Sequence, residues 1–135
     1  MRKSWKQKYF GVDSHKLEKL DKDYSDMSAG EVMLIATPTM IANYIDTIPS
    51  GKILDNKTIR KDLALSRRAN NTCPLTYGIF LRVLSEYHYE QYSSHHDIER
   101  ITPFWRAIPP NSPVLKKLSF DTQFIFDRQN EERNG

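Results

Sequence analysis

One cysteine in this sequence could act as a nucleophile. Cys73 directly precedes Pro74, and proline is well tolerated in the first turn of a helix. A cysteine at a helix N-terminus lies where the helix dipole stabilises a thiolate. No histidine is near it in sequence, and free cysteines are commonly buried structural residues. We therefore expect Cys73 to be structural, with an enzymatic role as the alternative.

A histidine-rich segment could suggest a metal site. It contains His88, His95, His96 and Asp97. The spacing of these residues matches no zinc pattern, and no further cysteines are present to complete a ligand set. We expect these histidines to be solvated loop residues, and we expect neither a metal nor another cofactor.

A positive excess of charge lies between residues 52 and 68. Its cations are Lys52, Lys57, Arg60, Lys61, Arg67 and Arg68, opposed by Asp55 and Asp62. Cations clustered in this way can neutralise the phosphates of a polyanion. They can equally form the soluble face of a helix. The sequence leaves both interpretations open.

Two predicted helices, one within this basic segment and one after it, indicate a helix-turn-helix. Asp55 is a suitable N-cap for the first helix, in which Ile59 and Leu63 lie one turn apart. The second helix begins near Pro74. Its predicted apolar face is Ile79, Phe80, Val83, Leu84 and Tyr87, and its other face is Thr76, Arg82, Ser85 and Glu86.

The remaining segments predict a mostly α fold, a winged helix-turn-helix with a small β wing. The apolar run 31–37 predicts a strand or a buried extended segment, and a helix follows Thr37. The polar stretch 87–100 predicts the end of the second helix and a long loop. Residues 114–118 predict a wing strand, and Ser119 is a suitable cap for a final helix.

Length and composition predict one small domain. The chain has 135 residues, 39% hydrophobic and 27% charged, with a net charge of +3. We expect a polar N-terminal arm over residues 1–30 and a folded domain over 31–135. A single cysteine fits a reducing compartment, and no apolar run reaches membrane-spanning length. The first residues lack the apolar core of a signal peptide, so the sequence predicts a cytoplasmic protein.

Several motifs together resemble the DNA-binding domain of alkylguanine-DNA alkyltransferases, in particular small alkyltransferase-like proteins. They are Ile48-Pro49-Ser50-Gly51-Lys52, the helix over 59–64, Cys73-Pro74-Leu75-Thr76-Tyr77-Gly78-Ile79-Phe80 and Thr102-Pro103-Phe104-Trp105-Arg106. The early Lys3-Ser4-Trp5 and the run 33–38 are also similar to the small group. The resemblance implies a domain whose second helix enters the DNA minor groove while a damaged guanine is flipped out.

The same resemblance implies that this chain is not an alkyltransferase. The family's acceptor cysteine lies in a Pro-Cys-His-Arg motif, which corresponds here to Pro103-Phe104-Trp105-Arg106. Phe104 cannot supply a thiolate, and Trp105 cannot act as a base. The family's tyrosine near the first helix corresponds to Asn56, and its gap-filling arginine falls near Leu75 or Thr76.

The sequence therefore predicts a non-catalytic protein that binds duplex DNA and could sense damage, with no membrane association. The cations would dock on phosphates, and Thr76 and Tyr77 would probe a groove. Phe104 and Trp105 could be pocket walls or core residues. On an extended segment adjacent side chains point to opposite faces, so only one of the two can face the interior. The resemblance puts Phe104 at the acceptor position, which implies Phe104 as the pocket wall and Trp105 as the buried partner, with Arg106 bracing the loop. The alternative function is a protein-interaction module that no longer binds DNA.

Overall fold

The computed structural model describes residues 2–135, which form five α-helices, three short strands and three 3-10 segments. The helices are α1 (Trp5–Phe10), α2 (Pro38–Ile45), α3 (Asn56–Ser66), α4 (Pro74–His95) and α5 (Gln123–Asn134). The strands are β1 (Lys16–Lys19), β2 (Val32–Ile35) and β3 (Asn71–Thr72). The 3-10 segments are Ile98–Arg100, Phe104–Ala107 and Pro113–Lys116. The prediction of a mostly α domain with a small β part is confirmed.

The small sheet has the strand order β1-β2-β3. β1 pairs antiparallel with β2, and β3 pairs parallel with β2, so that Leu34 is the partner of Leu17 on one side and of Thr72 on the other. The apolar run predicted as a strand or extended segment forms β2, and its Leu34 is completely buried. The predicted wing strand over 114–118 is wrong. Pro113 begins a 3-10 helix there, since its fixed φ and missing N–H suit a first helical turn.

α3 and α4 follow each other in sequence and begin where their capping residues predicted. The Asp55 carboxylate accepts the backbone N–H of Thr58 at 2.8 Å, and Pro74 occupies the first turn of α4. The connection between the helices contains β3, which pairs with β2. Two consecutive helices are what a helix-turn-helix requires, and its winged form stays a prediction.

The polar arm predicted for residues 1–30 contributes, over its described part, α1 and β1. Ser4 and Gln7 cap α1 reciprocally, with each backbone N–H donating to the other side chain at 2.8 and 3.1 Å. The buried ring of Tyr9 stacks on Tyr87 of α4, with 4.4 Å between the ring centroids. The predicted boundary at residue 30 therefore falls between the paired strands β1 and β2.

α4 has 22 residues and passes through the core. Its most buried stripe includes Tyr77, Leu81 and Leu84. The helix ends within the polar stretch 87–100, as predicted, and reaches His95 because Tyr89 and Tyr92 also pack on the core. His96 then ends it in the left-handed conformation, with φ of 56°. No helix within residues 2–135 combines the length and apolarity needed to cross a membrane.

α5 closes the core from the C-terminal side. The side-chain amide of Gln129 donates to the carbonyls of Trp105 and Ile108 at 2.8 and 2.7 Å. These bonds tie α5 to the Phe104–Ala107 segment and to the residue that follows it. Ser119, predicted as the cap of this helix, lies outside it, because the helix begins at Gln123.

His88 joins α1, α4 and the chain just before the Phe104–Ala107 segment. Its Nδ1 accepts the Thr102 backbone N–H at 3.3 Å, so Nε2 carries the proton and donates to the Tyr9 hydroxyl at 3.2 Å. Burial lowers the pKa of His88 from 6.5 to about 4, since a charged imidazole would lose its hydration. Neutral His88 therefore helps to hold α1 in place.

We expect the fold to lose stability as pH falls from 6.5 to about 4. In this window the unfolded chain protonates the imidazole but the folded chain does not, so unfolding becomes more favourable. The pKa difference corresponds to about 3 kcal/mol, fully present as stability above the unfolded pKa. Urea unfolding across a pH series should show this loss in the native protein and a smaller one in His88→Gln. His15→Gln, at an exposed position, is the control and should follow the native protein.

Candidate functional site

Five of the six predicted cations are exposed, and we call them the cationic flank. They are Lys52, Lys57, Lys61, Arg67 and Arg68. Lys57 and Lys61 lie one turn apart on the outer side of α3, because Ile59 and Leu63 hold its opposite side in the core. The Lys61 ammonium donates to the Asn70 carbonyl at 2.8 Å and so lies next to the start of β3. The structure thus gathers positive charge along α3 and its connection to α4.

Arg60, predicted as a phosphate contact, is buried instead, with 5% of its surface exposed. Its guanidinium donates to both carboxylate oxygens of Asp26 at 2.8 and 3.1 Å and to the Thr72 carbonyl at 2.9 Å. The Thr72 hydroxyl donates back to the Arg60 carbonyl at 2.6 Å. The hydrogen bond from Arg60 holds the pKa of the Asp26 carboxyl below its usual value. Arg60 is therefore a structural tie, because a buried charge needs its partners.

The start of α4 presents a different face to solvent from the one predicted. Tyr77, predicted to probe a groove, is only 1% exposed, and burial raises the pKa of its hydroxyl. Leu75 and Ile79 lie one turn apart and are 62% and 49% exposed. Thr76 is half-buried, and Asn56 lines a shallow groove together with Leu75 and Ile79. An apolar ridge therefore meets solvent where a polar contact was expected.

The buried side of α4 explains why the face exposed to solvent differs from the predicted one. Ser85 and Glu86, predicted on the polar face, are buried. The Glu86 carboxylate accepts both the N–H and the hydroxyl of Ser119, at 2.7 and 2.6 Å. The sequence signal that identifies the buried stripe is the spacing of Tyr77, Leu81, Leu84 and His88. It was missed because one member of this stripe is a histidine.

Phe104, predicted as a pocket wall at the acceptor position, is completely buried. Its ring lies 5.5 to 5.9 Å, between centroids, from those of Trp105, Phe120 and Phe124. Phe104 and Trp105 lie on a 3-10 helix and not on an extended segment, so adjacency does not send their side chains to opposite faces. Both residues therefore belong to the core.

Arg106 braces its loop and borders a cleft of about 330 Å³ beside Trp105. It donates to Glu132 of α5, at 2.7 and 3.0 Å, and to the Ile48 carbonyl at 2.7 Å. Burial alone would raise the pKa of Glu132, but hydrogen bonds from Arg106 and the Gly51 N–H hold it below its usual value. The acidic residues that line the cleft are Asp46, Glu99, Glu131 and Glu132. Such a lining disfavours phosphate.

The remaining candidates for chemistry lie at the two ends of α4. Cys73 is buried and is the N-cap residue of α4. At the other end of the same helix, His95 Nδ1 accepts the Asp97 backbone N–H at 3.0 Å. Across residues 2–135, no three His, Cys, Asp or Glu side chains are grouped so as to hold a metal ion.

A second surface, which the sequence analysis did not predict, is the groove between α1 and α4; we call it the α1–α4 groove. It encloses about 330 Å³. Lys8 and Arg82 lie over the indole of Trp5, at 4.5 and 5.4 Å from the ring centroid. The sequence feature that could have predicted this surface is Trp5, which lies among lysines in an otherwise polar segment. Ile79 reaches it from α4.

Comparison with known proteins adds nothing to this description. Neither a protein-family model, nor a curated protein, nor a solved structure matches the chain. The alkyltransferase resemblance therefore stays a prediction from the motifs.

We expect Phe104→Ala to destabilise the protein by about 3–5 kcal/mol, because it empties a fully buried aromatic site. Trp105→Ala, at 3% exposure, should cost a similar amount. Urea unfolding of both variants would measure these losses, with Phe10→Ala as the control because Phe10 is 53% exposed. Near-native stability of Phe104→Ala would return Phe104 to the role of a pocket wall.

Proposed function

We propose that this protein binds duplex DNA without modifying it, and that the cationic flank makes the contact. The observation that carries the proposal is the exposure of five cations, of which one precedes α3, two lie on α3 and two lie in its connection to α4. Cations arranged in this way gain free energy by releasing counterions from the DNA phosphates. The resemblance to alkyltransferase-like proteins also supports a DNA ligand.

The state of the nearby carboxylates adds support. Asp55 caps α3 through the Thr58 N–H, and Asp62 accepts the Tyr44 hydroxyl at 2.5 Å. Both acidic groups of the segment are therefore engaged within the protein. These two carboxylates partly offset the positive charge of the cationic flank, but the cations of the flank still face solvent.

The start of α4 would supply the contact within a DNA groove. Leu75 replaces Tyr77 in this role, because Leu75 is exposed and Tyr77 is buried. Apolar side chains such as leucine can insert between base steps from the minor groove. Thr76, beside it, does not take part, because its hydroxyl oxygen is buried. A preference for damaged duplexes would follow from their weaker stacking, because unstacking then costs less.

The absence of catalysis is part of the proposal and is supported by the acceptor position. Phe104 has no nucleophilic atom and lies in the aromatic core. Cys73 is buried at the N-cap of α4. A thiol in that position has no open path to a flipped base.

We expect measurable duplex binding at low salt, with affinity that falls steeply as salt rises. Each phosphate contact contributes a slope of about 0.9 in a plot of log affinity against log salt. Lys57→Ala/Arg67→Ala should therefore weaken binding on every sequence and reduce that slope by about 2. Fluorescence anisotropy with a labelled duplex would measure both quantities.

The matched control is Lys19→Ala/Lys22→Ala, which removes the same charge from exposed positions in the N-terminal segment. It should bind almost as the native protein does. An equal loss in both variants would mean that net charge alone is responsible. No binding at low ionic strength would favour the alternative, a protein-interaction module.

We expect no mass increase when the protein is incubated with DNA that carries alkylated guanine. Phe104 cannot accept an alkyl group, and Cys73 is inaccessible in the folded protein. Intact-protein mass spectrometry measures this directly, and unmodified DNA serves as the blank. An alkyl adduct on Cys73 would overturn the non-catalytic assignment and would be absent from Cys73→Ser.

A further inference from the structure

The α1–α4 groove has an apolar floor that is partly open to solvent. It is formed by Trp5 of α1, by Val12 just after α1, and by Ile79, Phe80 and Val83 of α4. Ile79 leaves about half of its surface in contact with water. Apolar surface that stays hydrated is a source of binding free energy when a ligand covers it. The enclosed volume of about 330 Å³ is at the lower end of the range for ligand sites.

The charge around this floor has one sign. The cations that line the groove are Lys3, Lys8, Arg82 and Lys117. None of the described residues that line it is acidic. A complementary ligand must therefore be apolar at its centre and anionic at its edges.

Gly78 leaves the backbone of α4 uncovered in the groove. A Cβ atom built at this position meets no other atom within 4 Å. Glycine costs helix stability relative to alanine, so packing within this helix does not explain it. An uncovered helix backbone does permit close approach by another segment, as small residues do between packed helices.

We propose that the α1–α4 groove binds an acidic amphipathic segment of a partner protein. An apolar side chain of that segment enters the groove, and its carboxylates face the four cations. This is helix-in-groove recognition, in which an apolar stripe provides the anchor and flanking charges provide the orientation. The proposal adds a protein partner to the proposed DNA binding and uses a different set of residues.

Nucleic acid is the other polyanion that could meet these cations, and the groove fits it less well. Single strands bind by stacking bases on open aromatic faces. The ring of Trp5 is instead engaged by Lys8 and Arg82. Duplex phosphates need the cations but make no use of an apolar floor.

The first test uses two labelled helical peptides that carry leucines one turn apart. One has glutamates at the remaining positions, and the other has lysines there. Fluorescence anisotropy with the full protein should detect binding of the glutamate peptide and not of the lysine peptide. Failure of the native protein to bind the glutamate peptide overturns the proposal, as does equal binding of the lysine peptide.

The second test fills the groove. Gly78→Leu should weaken peptide binding by about tenfold or more, which corresponds to about 1.4 kcal/mol. Gly78→Ala is its control and should bind nearly as the native protein does, because it adds only one methyl group. Thermal unfolding would confirm that both variants fold. Lys8→Glu/Lys117→Glu should weaken binding comparably through charge, without filling the groove.

The remaining comparisons separate the peptide from DNA. Lys57→Ala/Arg67→Ala should lose DNA binding and keep peptide binding, so either proposal can fail without the other. Unchanged peptide binding by both Gly78→Leu and Lys8→Glu/Lys117→Glu would place the peptide elsewhere and overturn the proposal. If these variants instead lose a single-stranded oligonucleotide that the native protein binds, while peptide binding is unaffected, the groove is a nucleic-acid site.

Discussion

The ion pair between the buried guanidinium of Arg60 and the exposed carboxylate of Asp26 sets what the rest of the molecule can present to a ligand. One guanidinium holds the N-terminal segment, α3 and β3 together. The next backbone N–H after β3, that of Cys73, donates to the Leu34 carbonyl at 2.8 Å, and α4 begins immediately afterwards. The same tie therefore fixes where α4 starts. A buried charge keeps its partners because separating them leaves it unsolvated, so Arg60 cannot also serve a phosphate.

Because its inner stripe is fixed by the core, α4 has to leave its other side to solvent. That side carries Leu75, Gly78 and Ile79, which contribute little to the core. Hydrated apolar residues next to cations form a surface that favours anionic ligands with apolar parts. Both proposed binding surfaces border this side of α4, one along α3 and one along α1.

Local signals predicted the beginnings of the central helices, and long-range partners decided the rest. Asp55 and Pro74 act within one turn, so their roles could be read directly from the sequence. The burial of Arg60 depends on Asp26, which is 34 positions away. Phe104 was assigned to an extended segment, whereas the 3-10 geometry and the aromatic residues of the C-terminal part place it in the core. No local sequence pattern indicates which distant residues will bury Arg60 or Phe104.

The two proposed ligands are both acidic, so positive charge alone cannot distinguish them. The salt dependence of binding can distinguish them. Binding of DNA by the cationic flank draws on counterion release and should weaken steeply as salt is added. In the α1–α4 groove, the burial of Ile79 and its neighbours adds a contribution that salt does not screen. A peptide bound there should therefore keep a larger share of its affinity at high salt, and its binding should show the negative heat-capacity change of apolar burial. This difference in salt dependence arises because the floor of the α1–α4 groove is apolar, whereas the cationic flank is charged.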